Sequence, residues 1–408
     1  MDNIIENTCC LACGSKNLKL TLDLKEQPLA NNFKDTKIDQ DRYPLAVNLC
    51  LDCYHLQLTH TVNPKLIYSN YLYVSGTSQT LKDYSDWFAG YVLESIRPTT
   101  FNILDIGCND GTQLDYFKIR NFNTYGIDPA QNIYPISSAK HNIICDFFSP
   151  KITEKITEKF DAITAQNVCA HNPNPLEFLK TCTELMSDHT LLFVQTSQAD
   201  MVLNNEFDTI YHEHVNFFNI NSMNRLAVRA GLHLVDAIKT PIHGNSYIFV
   251  FSKMSGRPYH IQNLINMENK LLKEQTYINW NNTVTENMFN LKNTISSYKN
   301  WGYIIIGYGA AAKGNTLLNY IDMPLDLIID DSPLKQNLYT PGLNIPIVSI
   351  DYLKDISENE KIIFMPLAWN FFAEISQRIK NVRNNENDKF LKYFPVSYTH
   401  LTLPTILL

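Results

Sequence analysis

The 408-residue chain is 45% hydrophobic and 18% charged, the make-up of folded domains, which excludes an intrinsically disordered chain; its length suggests two or three domains. A formal net charge of -7 argues against a nucleic-acid-binding surface spread over the whole molecule, and no apolar run is long enough to span a bilayer. The first residues hold no basic region leading into an apolar run, so no signal peptide is expected, and a cytoplasmic protein without membrane or nucleic-acid partners is the default.

Residues 1–65 carry Cys10-Leu-Ala-Cys13 and Cys50-Leu-Asp-Cys53. Two C-x2-C pairs can form two tight knuckles whose thiolates close a tetrahedral zinc site. With four protein ligands no coordination position stays open, so a structural Zn2+ in a small module is expected rather than a catalytic one. Cys9 competes with Cys10 but stands at the wrong spacing, and His55 and His60 are alternatives that the paired cysteines make unnecessary. Runs 18–24 and 43–49 alternate as strands. The other thiols, Cys108, Cys145, Cys169 and Cys182, lie in apolar contexts that suit buried free cysteines. Tyr71 and Tyr73, beside a Ser/Gly/Thr run, either line a polar pocket or pack across a domain junction with wet hydroxyls.

From about residue 66 to 255 the pattern is that of an α/β domain. An amphipathic helix over 82–95 leads into a strand at 101–106, a glycine turn, and a helix starting near Leu114, the first unit of a doubly wound sheet. Its turn reads Asp105-x-Gly107-x-Asn109-x-Gly111, a variant that resembles motif I of the class I methyltransferases using S-adenosylmethionine. Asp128, followed by Pro129, ends a second strand about 20 residues further on, where an acid can bind both ribose hydroxyls. Asp146 and Phe147 follow a third strand and could flank adenine. Asn167 ends a fourth, at whose carboxyl end ligands gather. His171, just beyond, is placed for acid–base work or for capping a helix near Pro175. A fifth strand at 191–195, a helix over 222–231 and an antiparallel pair at 232–237 and 246–252 complete the sheet.

The densest chemistry lies at 206–218, EFDTIYHEHVNFF, an insertion after strand five. His214 can take a proton near neutral pH, and Glu213 and Tyr211 stand beside it. In a regular strand Glu213 and His214 would face opposite ways, so an irregular loop is expected, with His212 outside the chemistry. The bland alternative is an aromatic loop whose polar groups satisfy one another.

Residues 256–300 read as one or two connecting helices. Residues 301–394 open with Gly307-Tyr-Gly309-Ala-Ala-Ala-Lys313-Gly314-Asn315, a second strand–turn–helix unit whose helix N-terminus can hold a diphosphate; a second, nicotinamide site is the sharper alternative. Residues 395–408, beginning PVSYTHLTLPT, look like a translated sequencing adapter and are expected to be foreign to the natural chain.

Together the cysteine knuckles, ILDIGCNDGT, NVCAH at 167–171, FDTIYHEHVNFF and PIHGNS at 241–246 resemble the nucleotide-sugar C-methyltransferases that act at C-3 of 4-keto-deoxysugars. The resemblance spans nearly the whole chain to Phe394. It implies S-adenosylmethionine as cofactor and a dTDP- or GDP-linked sugar as substrate. It also implies His214 as base with Tyr211 and Glu213, His171 as a second active-site histidine, and a tyrosine from the Tyr71/Tyr73 run. The C-terminal half would help bind the nucleotide-sugar, for which Asn245, Gly309, Lys313 and Asn315 are the candidates. A zinc-containing methyltransferase of RNA or protein, and a non-catalytic protein on a methyltransferase fold, remain the competing readings.

Overall fold

The computed structural model describes residues 3–68, 79–197, 200–242, 245–255 and 258–393, with the backbone of 405–407. Tyr71 and Tyr73 lie outside the described residues. The chain divides into two compact units, and it passes between them repeatedly: the first holds residues 1–20, 48–200 and 213–274, the second 21–47, 201–212 and 275–408. The stretch 206–218 is therefore shared, with Tyr211 in the second unit and Glu213 and His214 in the first.

The first unit is built on a seven-stranded sheet. Its strands are β1 (Asn102–Ile106), β2 (Asn123–Ile127), β3 (Asn142–Ile144), β4 (Ala162–Gln166), β5 (Leu191–Ser197), β6 (His233–Thr240) and β7 (Ser246–Ser252). Their spatial order is 6-7-5-4-1-2-3. β7 runs antiparallel to both of its neighbours, while β5, β4, β1, β2 and β3 are parallel. Strand alternation sends Ile103, Phe193, Ile248 and Val250 to one face, where they meet Phe88, Ala89 and Val92 of the helix Gln79–Ser95. Leu104, Ile106, Leu192, Val194 and Phe249 point to the other, against Phe178, Leu179, Met223 and Leu226. Both faces are covered by helices, as a mostly parallel sheet requires. The order reverses between β1 and β4, and the crevice outside their carboxyl ends is where such sheets bind ligands.

Helices Pro175–Leu185 and Ile220–Arg229 start on Asn174 and Asn219, whose side-chain oxygens accept the backbone N–H of Glu177 and Ser222. The cap of the first is thus Asn174, not His171. Glu268 adds a second hold on the other: its carboxylate accepts Ile220 N–H at 3.0 Å and Asn221 N–H at 3.2 Å. Of the scattered cysteines Cys108, Cys169 and Cys182 are buried as expected, but Cys145 is exposed, because β3 is an edge strand only three residues long.

The second unit holds a parallel sheet whose strands run, in spatial order, Ile347–Val348, Leu327–Ile329, Ile304–Tyr308, Ile362–Pro366, Lys389–Lys392 and Thr405–Leu407. Here too the order reverses, between Ile304–Tyr308 and Ile362–Pro366. The helix Glu274–Asn300 buries Tyr277, Trp280, Val284, Met288, Leu291 and Ile295 along one stripe, so all but its first residue belongs to this unit. A buried ion pair ties the far end: Arg383 Nε meets Asp388 Oδ2 at 2.9 Å while its other nitrogens donate to the carbonyls of Ile356, Ser357 and Glu360.

Candidate active site

The cysteine cluster is assembled by two matching knuckles. Gly14 N–H donates to Cys10 O and Tyr54 N–H to Cys50 O, each at 2.8 Å, and both residues have positive φ, +82° and +57°. Glycine takes that conformation freely, whereas Tyr54 bears its steric cost. The Sγ atoms of Cys10, Cys13, Cys50 and Cys53 all lie within 4.8 Å of one another, with Cys10–Cys53 at 3.7 Å and Cys13–Cys50 at 3.6 Å. A tetrahedron with Zn–S bonds of 2.3 Å has edges of about 3.8 Å, so the four thiols fit a zinc ion. Cys9, His55 and His60 stand outside the cluster. His55 is instead a core ring: its Nε2 donates to Asn216 Oδ1 at 3.1 Å and it packs on Phe218.

At the switch point of the seven-stranded sheet, the turn after β1 is shaped by three left-handed residues, Gly107 (φ +72°), Asn109 (+50°) and Gly111 (+83°). A Cβ on Gly107 would lie 2.4 Å from Val168 Cγ2, so this turn tolerates only glycine. Asp128, at the end of β2, locks the turn: Oδ2 accepts Asn109 N–H and Oδ1 accepts Ala130 N–H, each at 2.9 Å. Each oxygen keeps a lone pair, so two ribose hydroxyls could still donate to the same carboxylate. Pro129 follows at the crevice rim, half-buried. Asp105 is buried below the turn and accepts Thr164 Oγ1–H at 2.6 Å. Burial pushes its carboxyl up to about 7, with Thr164 opposing and the Asp128 charge adding.

Asn167 closes the crevice on the β4 side in a left-handed conformation (φ +55°), its buried Oδ1 without a hydrogen-bond partner among the described residues. An orphaned acceptor at a switch point suits a bound polar ligand, because leaving it unpaired costs about 1–3 kcal/mol. The residues present thus fit a nucleoside cofactor. Asp146 and Phe147 follow β3; Asp146 pairs with Lys155 at 2.6 Å and Phe147 is 46% exposed.

Beyond β4, the short turn Cys169–His171 faces the returning stretch 213–217. Val215 N–H donates to Ala170 O at 3.0 Å and Asn216 Nδ2 to Asn172 O at 2.8 Å. This brings the rings of His171 and His214 to 4.8 Å, edge to face at 72°. Burial pushes His171 down to about 4, so its ring is neutral at pH 7. Glu213 and His214 are each 7% exposed. The stretch is a series of turns and bends before the short strand Asn216–Phe217, the irregular loop its chemistry calls for. His212 does not join the histidine pair: its Nε2 donates to Tyr43 O at 3.2 Å and burial pushes it down to about 4. Asn245 precedes β7 with φ +74°, donating to Asp200 Oδ2 at 3.0 Å.

In the second unit, Gly309 (φ +92°) turns the chain beside Ala368. Lys313 donates to Asn370 Oδ1 at 2.9 Å and lies over the Trp369 ring at 4.4 Å, and Asn315 is buried, its Oδ1 accepting from Asn319 Nδ2 at 3.1 Å. Three residues escaped the sequence reading: Thr164 and Val168, which flank the cofactor turn from β4, and Asp208, whose Oδ2 accepts the indole N–H of Trp369 at 2.7 Å. Val168 could have been suspected, since a glycine at a tight turn implies a neighbour that forbids a side chain.

Three family models match the chain in order: a zinc-binding domain over residues 10–68, a methyltransferase domain over 76–237 and a C-methyltransferase C-terminal domain over 241–395. With the sheet and its glycine cradle, they define the chain as an S-adenosylmethionine-dependent methyltransferase with a zinc-binding domain. C-methyltransferase NovU of Streptomyces niveus is 25% identical over 396 residues, covering 92% of this chain and 93% of the relative. The chain is accordingly an S-adenosylmethionine-dependent C-methyltransferase similar to NovU. A ubiquinone biosynthesis O-methyltransferase of Glaesserella parasuis is 33% identical over 106 residues, 23% of this chain and 44% of the relative. The solved S-adenosylmethionine-dependent methyltransferase of Clostridium acetobutylicum aligns at 12% identity with TM-score 0.35 over 44% of this chain and 94% of its own. Among the described residues no helix is long and apolar enough to cross a membrane.

Proposed function

We propose that the chain methylates the carbon next to the ketone of a nucleotide-linked 4-keto-deoxysugar, dTDP- or GDP-linked. The observation that carries this reading is the pair His171–His214, rings 4.8 Å apart, at the carboxyl side of β4 in the unit that holds the cofactor cradle. Support comes also from the likeness to a C-methyltransferase along 92% of the chain and from the motifs of the sugar-methylating family.

S-adenosylmethionine, when bound, supplies an electrophilic methyl group; Asp105, Gly107, Asn109, Gly111, Asp128, Pro129, Asp146, Phe147 and Asn167 are the residues assigned to hold it. His214 takes the proton α to the ketone, assisted by Glu213. A carbon acid beside a carbonyl is far too weak for a free imidazole, so the site must stabilise the enolate oxygen. His171, neutral and therefore able to donate one N–H, and the hydroxyl of Tyr211, with that of Tyr71 or Tyr73, are assigned to that oxygen. The zinc cluster takes no part beyond holding its module. The region 66–255 is assigned to the cofactor and 301–394, with Gly309, Lys313 and Asn315, to the nucleotide-sugar; Asn245 belongs to the same role.

The test is incubation with labelled S-adenosylmethionine and a panel of nucleotide 4-keto-6-deoxysugars. Label in the sugar and exchange of its C-3 proton in deuterated water are expected, both lost in His214→Ala while S-adenosylmethionine still binds. Full turnover by His214→Ala, or label entering only RNA or protein, would overturn the assignment.

A further inference from the structure

We propose that Asp208 is a positioning residue that fastens the Tyr211 end of the shared stretch to the switch point of the second sheet, so that the groups gripping Asp208 set where Tyr211 stands. This rests on the reading of Tyr211 as part of the reacting site.

Three consecutive residues of the stretch are held by three different elements of the second unit. Trp280, on the helix Glu274–Asn300, donates its indole N–H to Glu206 O at 2.8 Å. Phe207, fully buried, meets the ring of Tyr320 at 5.5 Å, on the helix Ala312–Ile321. Trp369, in the turn after Ile362–Pro366, donates its indole N–H to Asp208 Oδ2 at 2.7 Å. That turn and the turn of Gly309 leave the two strands between which the sheet order reverses. Lys313 bridges them, bonded to Asn370 and stacked on Trp369. Tyr211 follows only three residues beyond this grip.

The choice of a carboxylate is informative. An indole N–H needs only an acceptor, as the main-chain carbonyl of Glu206 shows. Asp208 is 0% exposed, and among the described residues its Oδ1 has no hydrogen-bond partner. Burying a charged acceptor with half its capacity unused costs far more than burying an amide. Burial pushes the Asp208 carboxyl up, and the charge that opposes it is the Lys313 ammonium, which favours the ionised form. The stretch is therefore tied by charge to the one lysine of the second glycine turn as well as by a hydrogen bond. An asparagine of the same shape would keep the hydrogen bond and lose the tie.

The experiment compares Asp208→Asn, Trp369→Phe and the double variant in full-length protein carrying 19F-labelled tyrosine, with the Tyr211 signal assigned by Tyr211→Phe. Each single variant is expected to shift the Tyr211 signal and to lower kcat about tenfold while KM for the ketosugar stays within about threefold. The double variant should fall further than either single one, because Asp208→Asn removes the charge tie and Trp369→Phe the hydrogen bond. Binding of S-adenosylmethionine, which the first unit holds, and the urea midpoint should match the wild type in Asp208→Asn. An unmoved Tyr211 signal, or kcat within about twofold of wild type in both single variants, would overturn the proposal. Should the wild-type protein methylate no ketosugar, the substrate reading falls, and the 19F shift alone decides whether Asp208 positions Tyr211.

Discussion

Gly107→Ala is the sharpest probe of the cofactor turn, because the structure names both the cost and its relief. The new Cβ would lie 2.4 Å from Val168 Cγ2 but 3.7 Å from Val168 Cβ and 3.8 Å from Cγ1. Carbon atoms pack at about 3.5–4.0 Å, so one methyl group must yield by about 1 Å. A left-handed alanine costs about 1–2 kcal/mol and forced overpacking about 1–3 kcal/mol, together about 2–5 kcal/mol. Against a typical domain stability of about 5–15 kcal/mol the loss is measurable by urea unfolding. Val168 also follows Asn167 and precedes the Cys169–His171 turn, so pushing it aside should weaken S-adenosylmethionine binding as well. Val168→Ala removes the offending methyl and leaves only an ordinary contact. The double variant should therefore keep the left-handed cost alone, about 1–2 kcal/mol, and recover most of the affinity seen by calorimetry. Wild-type binding in Gly107→Ala, or no relief from Val168→Ala, would refute this account of the turn.

Other expectations follow from separate parts of the molecule. Purified protein should carry one zinc per chain by native mass spectrometry, lost in Cys50→Ser and retained in Cys9→Ser. His171 and His212 are both pushed down to about 4 by burial from an unfolded value of about 6.5. The unfolded chain thus takes up protons first, so their contribution is intact above pH 6.5 and is lost as pH falls toward 4, by up to about 3 kcal/mol each at 1.36 kcal/mol per unit. His212→Gln should flatten the slope of urea stability between pH 7 and pH 5, and an unchanged slope would contradict the burial argument. Arg383→Ala should cost about 3–5 kcal/mol in urea unfolding, since it strands the Asp388 carboxylate in the interior, whereas replacing both by apolar residues should cost less.

Much of the first unit was legible because its signals are local. The short apolar runs at 101–106, 160–166 and 191–195 suit strands buried on both faces, and the acid-then-glycine turn marks the crevice between them. The irregular path of 206–218 could be argued from a conflict: a strand would turn Glu213 away from His214. What local pattern cannot carry is the pairing of residues distant in sequence. His171 and His214 are 43 positions apart, and their contact depends on Val215 N–H reaching Ala170 O and Asn216 reaching Asn172 O. Residues 21–47 lie between the two cysteine knuckles, yet they pack with the second unit; no change of composition announces it. The role of Asp208 is hidden for the same reason, since its partner Trp369 is 161 residues away.

The two glycine turns show how little a fingerprint alone can specify. In the second unit, Asp330 Oδ2 accepts Ala310 N–H at 2.6 Å and Oδ1 accepts Ser332 N–H at 2.9 Å. That is the arrangement of Asp128 with Asn109 and Ala130, an acid at the end of the second strand clamping the turn after the first. The spacing is nearly the same, 19 residues from Asn109 to Asp128 and 20 from Ala310 to Asp330. The carboxylate therefore has a structural duty in both turns, and its presence does not by itself announce a ribose. The difference lies in the neighbours. Lys335 donates to Ala310 O at 2.8 Å and stands 3.8 Å from Asp330 Oδ2, so a hydroxyl approaching that acid must compete with an ammonium. Among the described residues Asp128 is in no ion pair, and Asn167 Oδ1 waits unpaired across its crevice. By this comparison the first turn is open to a ribose and the second is already satisfied. The nicotinamide alternative for the second turn weakens accordingly: with Lys335 in place the protein should show no measurable affinity for a nicotinamide dinucleotide by calorimetry, and binding of one would overturn the comparison.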